Sequence, residues 1–167
     1  MRLGLPKHKV LVVAYDSDWA NLFLEEEGRL RDALGEIILD IQHVGSTAVP
    51  GLDSKPIIDI GIAIRHFEQG LDTIHAMAEL GYNFRGEVGV PGRHFFINGR
   101  PRTHHVHMSE ITNDDWLQRL KFRDILRNQP DIAKQYAELK TALAQQFPND
   151  ITAYSNGKTE FIRRIVS

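Results

Sequence analysis

Cysteine is absent from all 167 residues. Disulfides and thiolate metal sites are thereby excluded, and any bound metal must rest on oxygen or imidazole ligands. Long apolar runs are missing too. None approaches the ~20 residues that a membrane-spanning helix needs, so no membrane association is expected. Neither sign of charge dominates, with 20 basic and 22 acidic residues and a formal net charge of −2. A general nucleic-acid binder would show a clear basic excess. The segment "MRLGLPKHKVLVVAYDSDW" has neither a long apolar stretch nor a small-residue cleavage site, so no signal peptide is expected. The expected location is the cytoplasm.

What is present is a mixture of strand and helix patterns. Residues 8–15 read as a short strand or extended lead-in. Residues 16–35 read as a helix capped by Asp16 or Ser17, with Trp19, Leu22, Phe23, Leu30 and Leu34 on one face. Strands are expected at 36–44 and 56–64. A helix is expected at 66–81, with Phe67, Leu71, Ile74 and Ala78 inward. Asn98-Gly99 favours a tight hairpin turn between two antiparallel strands within 94–108. Three helices follow, over 113–129, 130–147 and 150–166, separated by Pro130 and by "PND" at 148–150. The expected fold is α+β: a small mixed sheet flanked by helices (residues 1–110) and a C-terminal helical part (111–167) packed on it as one compact domain.

The least ordinary stretch is "HVGSTAVPGLDSKPIIDI", residues 43–60. Side chains alternate faces along a strand. Ile58, Ile60, Ile62 and Ile64 therefore share a core face, while Asp59, Gly61 and Ala63 share a small, polar face suited to a cleft. A buried carboxylate needs a cation, donors or water beside it. Gly45 lets the backbone approach a ligand, and the Ser46 hydroxyl with the N–H groups of Ser46 and Thr47 can hold a phosphate. Taken alone, Gly-Ser is a turn. Its interest lies in the spacing to Asp59, with Lys55 adding positive charge between them.

That spacing resembles the nucleotidyltransferase superfamily, in which Gly-Ser precedes a strand bearing Asp-apolar-Asp/Glu. The chain departs from the pattern at the second carboxylate, where Gly61 stands. Four blocks together resemble the GrpB family, a nucleotidyltransferase-like group: the stretch just quoted, "PGRHFFINGRPRTHHVHM", "FRDILRNQPDIAKQYAELK" and "YSNGKTEFI". Some members are fused to dephospho-CoA kinase. The resemblance implies a nucleotidyltransferase-like fold and a nucleotide or other phosphorylated ligand. It also implies a divalent ion (Mg²⁺, Mn²⁺ or Zn²⁺), with Asp59 and Lys55 as catalytic residues.

"RTHHVHM" puts His105 and His107 on one strand face, where both can reach one metal or one phosphate. They are expected beside Asp59 as metal ligands, and His43 is expected to approach the same cleft. Two imidazoles with one carboxylate suit Zn²⁺ or Mn²⁺ better than Mg²⁺. Glu87 and Arg93 flank the loop "GEVGVPGR", in which Arg93 can clamp a phosphate. Arg102, Tyr136 and Lys140 complete the candidate substrate-binding set. Tyr136 and Lys140, like Tyr154 and Lys158, share a helical face. Three functions stay open: nucleotidyl transfer, a catalytically silent ligand- or partner-binding module, and a His/Asp metal-dependent phosphoester hydrolase.

Overall fold

A computed structural model describes residues 3–167. Five strands form one sheet: β1 (Asp40–Val44), β2 (Ile58–Ile64), β3 (Tyr82–Phe84), β4 (His94–Asn98) and β5 (His104–Glu110). Their spatial order is β1-β2-β5-β4-β3, with β2 and β5 parallel and the other neighbours antiparallel. The isoleucine alternation dictates the core. Ile58, Ile60, Ile62 and Ile64 are all fully buried against Trp19, Phe23, Leu30 and Leu34 of α1 (Asp18–Leu34). Each such side chain contributes about 1.5–3 kcal/mol of burial.

Helices α2 (Phe67–Asp72) and α3 (Ile74–Glu79) stand where one helix over 66–81 is expected. Thr73 makes the break by donating its hydroxyl to the Gly70 carbonyl at 2.7 Å. The break shifts the helical phase. Gly70, Thr73 and Met77 face inward, Phe67 and Ile74 are half-buried, and Leu71 and Ala78 are exposed. Residues 8–15 form no strand, only an isolated bridge between Val13 and Ser54, so this segment is a lead-in. The strand expected at 36–44 begins at Asp40, after a 3₁₀ turn over Gly35–Ile37. At the start of α1, Asp16 Oδ1 accepts from the Asp18 N–H at 2.9 Å, while Ser17 makes no side-chain cap. The strand turn after Asn98 spans 99–103 and is wider than the two-residue turn expected there.

The C-terminal part consists of α4 (Asp114–Asn128), α5 (Pro130–Gln146) and α6 (Ile151–Val166). Their starts are written locally. Asn113 Oδ1 accepts from Asp115 N, Pro130 opens α5, and Asp150 Oδ1 accepts from Ala153 N. These helices meet the 43–60 segment, where Val49 and Leu52 cluster with Leu126 and Tyr136. No described helix is long and apolar enough to cross a membrane.

Candidate functional site

The opposite sheet face carries the polar residues. Parallel pairing sets Asp59 beside His105 and Gly61 beside His107. His107 Nε2 lies 2.8 Å from Asp59 Oδ1, and His105 Nδ1 lies 3.6 Å from the same oxygen. Gly45 has φ +73°, and a Cβ there would stand 2.8 Å from Asp59 Oδ2. Glycine is thus required both by the turn and by the carboxylate behind it. Burial pushes the Asp59 carboxyl up, but the His105 and His107 side chains outweigh this and hold it well below the usual carboxylate range.

Gly61 does not open onto this cleft. The Trp116 ring of α4 lies over it, 3.1 Å from where a Cβ would be. The missing second carboxylate is therefore an occupied packing position. Gly61→Asp should cost at least about 3 kcal/mol through overpacking and a buried charge, read as a lower urea midpoint. An unchanged midpoint would show that Trp116 swings aside freely.

Around Asp59 opens a cleft of about 440 Å³, within the range of small-molecule sites. Gly45, Ser46, Lys55, Asp59, Arg93, His105, His107, Tyr136 and Lys140 of the expected set line it. Thr47 does not. Its Oγ1 turns inward, 2.9 Å from His43 Nε2. His43 stacks on Phe23 and sits on the α1 side of the sheet, because it pairs with Ile60 and not with Asp59. The Glu87 side chain is exposed, and its carbonyl oxygen serves instead as an acceptor for Arg93 at 3.1 Å. Arg102 lies elsewhere, donating to the carbonyls of Leu5 and Pro6.

Lys158, which shares a helical face with Tyr154 in the sequence reading, lines the cleft too, and so does Arg119, which that reading does not single out. Arg119 pairs with Asp115 one turn back at 2.8 Å, a spacing that reads as an ordinary solvated helix pair. The lysines lie over aromatic rings: Lys140 over Tyr136 at 4.9 Å, Lys55 and Lys158 over Tyr154 at 5.0 and 4.5 Å. Lys140 also donates to the Asp53 carbonyl at 2.5 Å. Burial, reinforced by Lys55, lowers Lys140 to about 7. Burial lowers Lys55 as well, and Lys158 falls well below the lysine range, with both neighbouring lysines adding to its burial.

Arg93 Nη1 lies 3.2 Å from His107 Nδ1. A guanidinium only donates, so Nδ1 accepts and Nε2 carries the proton given to Asp59. Burial keeps His107 neutral, lowering it to about 4. The ligand atoms of Asp59, His105 and His107 all lie within 4.8 Å of one another. This donor set fits a borderline divalent ion. His107 Nε2 must first surrender its proton to Nδ1, which Arg93 faces.

Comparison with known proteins identifies the family. Residues 9–167 match the model of a family described as GrpB protein. The UPF0157 protein YqkA of Bacillus subtilis is 45% identical over 95% of this chain, which spans 46% of YqkA's length. The crystal structure of the conserved protein GrpB from Enterococcus faecalis superposes with a TM-score of 0.87 at 38% identity, covering 93% of this chain and 94% of that one. A dephospho-CoA kinase of Mycolicibacterium paratuberculosis is 27% identical over 92% of this chain and 44% of its own.

Proposed function

The chain belongs to the GrpB family, and from that premise we propose a nucleotidyltransferase-like protein that binds a nucleotide or other phosphorylated small molecule beside a divalent metal ion. One observation carries the reading. Lys55, Lys140, Lys158, Arg93 and Arg119 converge on a cleft whose acidic lining residue is Asp59. Lys140 is buried and Lys55 and Lys158 are half-buried; an ammonium group taken out of water without a carboxylate beside it is costly, and a polyanionic ligand would supply the missing charge.

In such a site the Gly45–Ser46 turn would position a phosphate, and Lys55 and Arg93 would stabilise charge developing on it. A divalent ion held by Asp59, His105 and His107 would neutralise phosphate charge and activate an attacking oxygen. The dephospho-CoA kinase relative adds coenzyme-A precursors to the ligands worth testing. One feature favours a second reading, a catalytically silent binding module. With Trp116 over Gly61, Asp59 stands alone where the superfamily pattern has a pair of carboxylates.

The test is calorimetric titration with nucleoside triphosphates and dephospho-CoA, each with Mg²⁺, Mn²⁺ or Zn²⁺. Binding should weaken at least tenfold in Lys140→Met. It should also weaken as pH rises above 7, by up to about tenfold per unit, because the ligand needs a proton that Lys140 loses there. Pyrophosphate release on turnover would mark transfer, phosphoester hydrolysis would mark the hydrolase, and binding without turnover the silent module. No binding of any of these ligands would sink the proposal.

A further inference from the structure

The polar sheet face does not end at His105. Pairing registers set Val44, Asp59, His105, Ile97 and Asn83 in one row across all five strands. Directly paired residues point to the same face, so Ile97 and Asn83 continue the face that bears Asp59. Neighbouring strands are about 4.8 Å apart, which puts Ile97 one strand and Asn83 two strands beyond His105.

A second cavity, of about 650 Å³, has Ile97 and Asn83 in its lining. Lys7, Arg85, Arg100 and Arg102 also line it, and none of its lining residues is acidic. Arg102 is fixed there by its bonds to the Leu5 and Pro6 carbonyls, at 3.4 and 3.3 Å. His105 lines the first cavity, and its strand neighbour Ile97 lines the second. The electrostatic neighbours of His105 include Lys55 of the first and Arg102 of the second. Its Nε2 is buried with no hydrogen-bond partner.

We propose that this second cavity is an anion subsite that holds another small phosphorylated molecule beside the one in the Asp59 cleft. The assignment rests on the phosphate-binding reading of that cleft. A cavity with four cations and no acid selects an anion. The N-terminal segment at Pro6–Lys7 and the turn at Gly99–Arg102 both contribute to its lining, which suits a compact ligand better than a strand of nucleic acid. The net charge of −2 points the same way.

The probe is inorganic pyrophosphate, titrated calorimetrically. The unaltered protein should take two per chain. Arg85→Gln/Arg100→Gln changes two exposed side chains, so the fold should survive. It should weaken one site at least tenfold and leave the other intact. Lys140→Met/Lys158→Met should do the converse. If the cleft reading alone fails, one site remains and the arginine variant abolishes it. Stoichiometry and affinity unchanged in the arginine variant would overturn the second subsite. A short single-stranded oligonucleotide that outcompetes pyrophosphate through both arginines would overturn its assignment to a small molecule.

Discussion

Asp59→Ala should melt roughly 2–12 °C below the unaltered protein. The carboxylate is the shared partner of His105 and His107, and it faces the cations of the cleft. Leaving a buried hydrogen-bond donor without its acceptor typically costs about 1–3 kcal/mol, and each kcal/mol shifts the melting temperature by roughly 2–4 °C in a chain of this size. The loss has a pH signature. The folded-state pKa of Asp59 is depressed, so its stabilisation is present above the unfolded carboxylate value near 4 and disappears as pH falls through the folded value. The variant's deficit should therefore be constant from pH 5 to 7 and shrink in acid. Differential scanning calorimetry across that range reads both. A deficit under 2 °C at pH 7 would mean that the histidines and lysines do not depend on this carboxylate.

Arg93→Met should tighten Zn²⁺ or Co²⁺ binding at least tenfold. Arg93 holds His107 in the tautomer that presents N–H to Asp59, whereas a metal needs the lone pair of Nε2. Losing a positive charge near a metal site strengthens binding by itself, so Arg119→Met is the necessary control. Arg119 also acts electrostatically on His107 but has no hydrogen bond to its ring. A much larger gain in Arg93→Met than in Arg119→Met identifies the tautomer as the cause. Equal gains would leave only charge. Long-range proton–nitrogen NMR of the His107 ring reads the tautomer directly, with Nδ1 bearing the lone pair in the unaltered protein.

Strand alternation made Asp59, His105 and His107 legible in the sequence, since period-two patterning fixes faces without any knowledge of neighbours. The Gly45–Ser46 turn was legible for the same local reason. The places where sequence reading failed are those decided at a distance. Thr73 breaks a helix through a hydroxyl that competes for a backbone carbonyl, which hydrophobic periodicity does not register. Tyr82–Phe84 is too short a strand to show alternation. Glu26 looks like one of three surface glutamates on α1, yet it is buried as the acceptor of the Tyr82 hydroxyl at 2.8 Å. Arg119 joins the cleft only because α4 docks with that face toward the sheet, and amphipathic patterning cannot rank one charged helix face above another.

The lysine–tyrosine stacks of the cleft have a consequence for the lifetime of the protein. Lys55, Lys140 and Lys158 act on one another electrostatically, with Lys140 buried and Lys55 and Lys158 half-buried beside it. An anion of the kind proposed for the cleft would relieve their mutual repulsion and bind only the folded chain. At one hundred times its dissociation constant it would add about 2.7 kcal/mol to stability. Resistance to proteolysis would then rise and fall with the supply of that anion, making the abundance of the protein a gauge of its own ligand.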